Sequence, residues 1–190
     1  GAPQVVRFAR ARRASGGGLV LQAVAHVKET IAVIGCGNPN RSDDGVGPHV
    51  VRALSTRAAC ADERIRLVDA GPDGMGVMFA ARGCRSLIVI DACRSGSDPG
   101  AVFEVPGAQL EQERAPSFTL HDFRWDHALF AGRRIFGAAF PADVTVLLVE
   151  IETAAFGLGL SPSVARAAEK VADRIEALVR SRLQDAERVQ

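Results

Sequence analysis

The sequence predicts an α/β domain, a three-layer α/β/α sandwich around a twisted, mostly parallel sheet of about five strands. Short β-branched apolar runs alternate with amphipathic stretches from Thr30 onward. Several of these runs are nearly continuous in apolar residues, as strands covered on both faces are. The chain then closes on a long segment whose apolar residues recur at helical period.

Taken in order, Thr30 to Ile34 is a β-branched run stopped by Gly35, which reads as a buried strand. Asp44 to Arg57 reads as a helix, with acidic residues at its start where the helix dipole favours them. Ile65 to Asp69 is the second strand, Met75 to Ala81 a short helix, and Ser86 to Asp91 the third strand. Val102 to Glu104 reads as a small additional strand, and Trp125 to Phe136 has helical spacing. Asp143 to Ile151 is an apolar run suited to a strand between two helical layers. Ser163 to about Gln184 is the closing helix, with Ser161 or Ser163 available as N-cap. Its Val164, Ala167, Ala168, Val171, Ile175, Leu178 and Leu183 fall near one stripe. Right-handed crossovers between parallel strands then give a doubly wound sheet.

The 190 residues fit one domain, expected over 29–190. Residues 1–28 read as a flexible extension outside the fold. Arg7, Arg10, Arg12 and Arg13 precede the Gly16-Gly17-Gly18 run, and no acid occurs before Glu29. A net charge of +1 offers no broad basic field for nucleic acid, and with no Tyr and one Trp base stacking would rest on Phe. No apolar run approaches the roughly 18–20 residues of a membrane span. Cys36, Cys60, Cys84 and Cys93 form no CxxC pair and read as free, buried or half-buried thiols of a reducing cytosol.

Ligands of open parallel sheets sit beyond the carboxyl ends of the strands, where the strand order reverses. After the first strand comes Gly35-Cys36-Gly37-Asn38-Pro39-Asn40-Arg41-Ser42-Asp43-Asp44-Gly45-Val46-Gly47; after the third comes Asp91-Ala92-Cys93. In a flavodoxin-like order Asp44 and Asp91 would face one crevice, and two carboxylates there call for a proton or a cation between them. His121 is the best third donor. Two carboxylates and an imidazole suit a borderline divalent ion such as zinc or nickel and leave a coordination position open. Each residue also has a plainer reading: Asp43 or Asp44 as a helix cap, Asp91 as a turn cap, His121 as a surface histidine. Gly35-x-Gly37 with Asp69 ending the second strand also begins like a dinucleotide fingerprint, but Asn40 stands at the third glycine position. The acidic pair Asp43-Asp44 would oppose a pyrophosphate as well.

The stretch from Val33 to Pro39, followed by Asp43-Asp44-Gly45-Val46-Gly47, resembles the opening motif of the [NiFe]-hydrogenase maturation endopeptidases, GxGN…D-[DE]-G-x-G. Asp69-Ala70-Gly71, Ile90-Asp91-Ala92, the segment Ser117 to His121 and Gly157 to Pro162 follow in the family's order. The resemblance implies a cytoplasmic, single-domain endopeptidase that acts as a monomer on a [NiFe]-hydrogenase large-subunit precursor. It would remove a C-terminal peptide after nickel insertion. The nickel is the substrate's own, recognised through Asp44, Asp91 and His121, with zinc or cadmium able to occupy the site in vitro. Asp43 and Asn38 would be supporting residues that shape the loop and orient Asp44. Asp44 or Asp91 could serve as general base. Cys36 or Cys93 as nucleophile lacks an evident base, and no HExxH helix is present. Arg124 stands where the family commonly has a glycine, and His127 lies close by; the motif match favours His121. The alternative on the same residues is a non-catalytic nickel or hydrogenase-precursor docking factor, or a metallochaperone; histidine-rich tracts of the storage kind are absent.

Overall fold

Strands of six to eight residues, each built around an apolar run, form the centre of the molecule, and their order decides where a site can lie. The computed structural model describes residues 30–72, 74–109 and 125–188. In chain order they form β1 (Ile31–Cys36), α1 (Val46–Leu54), β2 (Ile65–Gly71), α2 (Gly74–Ala81), β3 (Ser86–Cys93), β4 (Val102–Pro106), α3 (Trp125–Phe136), β5 (Asp143–Glu150) and α4 (Pro162–Arg188). One sheet runs in the order β2-β1-β3-β5-β4. Its pairings are parallel except for β4, which lies antiparallel to β5 at the edge. The expected three-layer α/β sandwich is therefore the observed one. The chain leaves β1 toward β2 on one side and β3 toward β5 on the other, so the strand order reverses between β1 and β3.

Alternation along each strand divides the core in two. Val33, Ile88, Ile90, Leu147 and Val149 face α1 and α4, whereas Ala32, Ile34, Leu87, Val89 and Val146 face α2 and α3. Each fully buried Val, Leu or Ile contributes about 1.5–3 kcal/mol relative to exposure. The α4 stripe holds for Val164, Ala167, Ala168, Val171 and Ile175, to which Ala172 and Val179 are added. Leu178 and Leu183 pack only partly buried at its flank. The edge strand β4 is half exposed, ends at Pro106 and is tied to α4 by Glu104 and Arg174 at 2.7 Å.

The bounds of the helices α1 and α4 differ from the sequence expectation for local reasons. The stretch expected as one helix from Asp44 to Arg57 is a short 3-10 helix, Ser42–Gly45, followed by α1. At the other end the hydroxyls of Ser55 and Thr56 donate back to the carbonyls of Arg52 and Ala53, which stops the helix at Leu54. The closing helix begins with Pro162 just after Ser161, whose carbonyl accepts the Ala165 N–H, and continues past Gln184 to Arg188.

The first turn of α1 sits directly on the sheet. A β-carbon on Gly35 would come within 2.3 Å of the Gly47 carbonyl oxygen, and one on Gly47 within 2.2 Å of the Cys36 oxygen and 2.7 Å of the Ile90 oxygen. Backbone meets backbone at these positions, so no side chain can yield. Gly47→Ala is expected to destabilise the fold by about 1–3 kcal/mol through overpacking. A lowered urea midpoint at unchanged m-value would register it.

Candidate functional site

Beyond the carboxyl ends of β1 and β3 lies a cleft of about 400 Å³, lined by residues that include Cys36, Asp44, Asp91, Cys93, Arg94 and Ala154. Asp44 and Asp91, singled out by the strand-end rule, thus share one wall-to-wall space although 47 positions separate them in the sequence (91 − 44). Asp44 is half-buried, and its Oδ2 accepts the Asn38 N–H at 3.0 Å. Asp91 is 8% exposed, and its Oδ1 accepts the N–H of Ala92 at 2.8 Å. Asn38 therefore holds Asp44 through its backbone; its side-chain oxygen accepts the Asn40 N–H at 3.0 Å and tightens the loop.

Asp43 points the other way. It is fully buried and accepts the N–H groups of Glu152 (3.1 Å), Thr153 (3.1 Å) and Ser161 (2.6 Å), with the Ser161 hydroxyl at 3.1 Å. Successive residues of a 3-10 helix project about a third of a turn apart, so one acid enters the interior and the next faces the cleft. Ser42, just before them, has a φ of +50°, an uncommon conformation for a non-glycine residue.

His121 lies outside the described residues, as does the whole segment Ser117 to Arg124. His127 is half-buried in the first turn of α3 and is not among the residues lining the cleft. Among the described residues, no group of three His, Cys, Asp or Glu side chains is placed to hold a metal ion. Asp44 and Asp91 bring carboxylate oxygens to the cleft, the donor type that hard and borderline divalent cations take.

The phosphate-binding alternative meets a physical obstacle. The N–H groups of Gly37, Asn38, Asn40, Arg41, Ser42 and Asp44 all donate within the protein. A pyrophosphate cradle needs such groups pointing at the ligand. Asp69, the would-be ribose acid, accepts the Gly71 N–H at 2.9 Å in its own turn.

Glu150 is a site neighbour that the sequence reading passed over. It ends β5 in register with Cys93, is 3% exposed, and accepts the N–H groups of Ser95 and Gly96, the Ser95 hydroxyl and the Cys93 thiol. The Ser95 N–H, followed by the Ser95 hydroxyl and the Gly96 N–H, holds the Glu150 carboxyl down at about 2 despite burial. Cys93 is pushed up to about 12, first by burial and then by donating its proton to Glu150, with the Glu150 and Asp91 charges adding to the effect. The only available signal was an acid closing an otherwise apolar run, which reads simply as a strand end.

These features define a class: a doubly wound α/β protein whose switch-point cleft is acidic and cannot cradle a phosphate with the loop after β1. The chain belongs to the hydrogenase maturation protease family, whose model matches residues 48–178. The hydrogenase maturating endopeptidase HybD from E. coli superposes with a TM-score of 0.67 at 25% identity, covering 80% of this chain and 93% of that one. HybD from Thermococcus kodakarensis has the same fold, with a TM-score of 0.64 at 20% identity over 79% of this chain and 99% of that one. In sequence, the coenzyme F420 hydrogenase subunit delta of Methanothermobacter thermautotrophicus is 31% identical over 90 residues, 43% of this chain. The match spans 57% of that relative's length.

Two expectations follow. Asp43→Asn puts an amide NH₂ against N–H donors and should lower stability by about 1–3 kcal/mol in urea unfolding. Cys93 in the native protein should react with iodoacetamide at pH 8 about a thousandfold more slowly than a cysteine peptide, since little thiolate exists there. Its rate should rise with pH toward 12, readable by mass spectrometry of the labelled peptide.

Proposed function

We propose that the chain is an endopeptidase that removes the C-terminal extension of a [NiFe]-hydrogenase large-subunit precursor once nickel has been inserted. The observation that carries this reading is the convergence of Asp44 and Asp91 on one cleft in a chain of the hydrogenase maturation protease family. Nickel arrives as part of the substrate, and Asp44, Asp91 and His121 are its proposed ligands on this side. Zinc or cadmium would take the same oxygen and imidazole donors in its place.

The metal's chemistry in such a setting is to polarise a carbonyl oxygen or to acidify a water. The chain's residues supply the rest. The Asn38 N–H fixes the orientation of Asp44, and the Ala92 N–H that of Asp91, so neither carboxylate needs to be ordered when substrate enters. Either carboxylate can accept a proton from an attacking water as general base. Cys93 takes no part as nucleophile, because its proton is committed to Glu150. No described helix is long and apolar enough to cross a membrane.

The test is intact-mass analysis of the nickel-loaded and nickel-free precursor after incubation with the protein, His121→Ala, Asp91→Ala and Cys93→Ser. Loss of a short C-terminal peptide is expected only from the nickel-loaded precursor. The rate should fall by about a hundredfold or more in the His121 and Asp91 variants, in keeping with loss of a metal or general-base contact, and persist in Cys93→Ser. A precursor that binds the protein but keeps its mass would replace the protease reading with that of a non-catalytic docking factor.

A further inference from the structure

Phe156 and Leu158 are 85% and 84% exposed, the most exposed large apolar side chains among the described residues. They sit in the connection between β5 and α4, whose beginning supplies Ile151 and Ala154 to the wall of the cleft shared by Asp44 and Asp91.

The segment that carries them is firmly held. Ser42 donates its N–H to the Gly157 carbonyl at 2.9 Å, Gly157 donates to the Asn40 carbonyl at 3.0 Å, and the Ser42 hydroxyl donates to Ala155 at 3.1 Å. Arg41 donates from Nε to the Ala154 carbonyl at 3.1 Å and lays its guanidinium on the Phe156 ring, 5.1 Å from the centroid. Asp43 fixes both ends of the segment through Glu152, Thr153 and Ser161. A β-carbon on Gly157 would come within 2.9 Å of the Ser42 hydroxyl oxygen, so the two loops touch closely. Two apolar side chains are thus presented to water on a pre-ordered support, with one face of Phe156 braced by a cation.

Pre-ordered apolar projections beside a cleft have the form of binding anchors, since little entropy is left to lose when they are covered. They project instead of lining a concavity, so a small molecule is a poor occupant. The same connection supplies Ile151 and Ala154 to the cleft wall, so Phe156 and Leu158 follow two and four residues after a cleft-lining residue, within reach of a polypeptide longer than the cleft itself. We infer that Phe156 and Leu158 are substrate-positioning residues that grip an apolar surface of the precursor protein next to the peptide to be cut. This inference rests on the proposed protease reading, and names the residues by which that enzyme would recognise the folded body of its substrate.

The test compares the protein with a Phe156→Ser/Leu158→Ser double variant and with the conservative pair Phe156→Leu/Leu158→Met. Cleavage of the nickel-loaded large-subunit precursor is followed by intact mass over a range of precursor concentrations, and binding by calorimetry. Thermal unfolding checks that all three proteins fold alike. The expected result is a KM and Kd raised about tenfold or more in the serine variant, kcat within about twofold of the original, and recovery of KM in the conservative pair. An unchanged KM, or a fall in kcat alone, overturns the inference and leaves the protease reading standing. A precursor that is bound but never cut, with Kd weakened only in the serine variant, supports the anchor and removes the protease reading. No binding by the unaltered protein overturns both. Self-association that the serine variant abolishes, seen by sedimentation, overturns the inference in favour of a second copy of this chain as occupant.

Discussion

The arrangement at the carboxyl edge of the sheet depends on the buried side chain of Asp43. A fully buried acid is costly unless its oxygens are satisfied, and Asp43 has four donors within 3.1 Å, three of them backbone N–H groups from the far side of the edge. Those donors belong to the exit of β5 and the entry of α4. The loop after β1 is thereby joined to a segment more than a hundred residues later, and α4 is delivered to the face where it packs on α1. Asp44 follows in the same 3-10 helix, about a third of a turn round, so fixing Asp43 also fixes the carboxylate that lines the cleft.

The three buried acids of this edge divide the space among them. Asp43 holds the segment between β5 and α4, Glu150 gathers the N–H groups of the turn after β3, and Asp91 faces the cleft between them. The close contact of Gly47 with Cys36 and Ile90 brings the first turn of α1 down onto both β1 and β3. That contact keeps Asp44 and Asp91 on one cleft. A side chain at either glycine would lift the Asp44 loop from the sheet, so the glycines of the opening motif have a packing reason that does not involve a nucleotide.

Much of this was legible in the sequence because it depends on patterns with short range. The apolar runs located each strand, and the helical stripe located α4; the strand-end rule then pointed to Asp44 and Asp91. The ends of α1 were not legible, since they depend on the 3-10 turn forced before Val46 and on hydroxyls that bond back at Ser55 and Thr56. Asp43 was expected to support the loop it belongs to, but its partners are Glu152, Thr153 and Ser161, which only the fold brings near. Glu150 was missed for a related reason. Its role comes from strand register, which sets it beside Cys93, and a sequence does not display register.

That register also bears on which chemistry the cleft can support. A nucleophilic cysteine needs surroundings that favour the thiolate: a nearby cation, a helix N-terminus or an imidazole. Cys93 has the reverse, since burial, a hydrogen bond to Glu150 and the nearby Asp91 all favour the neutral thiol. Asp91 belongs to both settings, since it raises the Cys93 thiol and lines the cleft that it shares with Asp44. Arg94, exposed at the cleft wall, can soften the field of these two carboxylates but presents no metal-ligating lone pair. Glu150 and Asp91 therefore select against thiol catalysis at Cys93, and the proposed water-attack route, with Asp44 or Asp91 as base, is the one that does not need a thiolate.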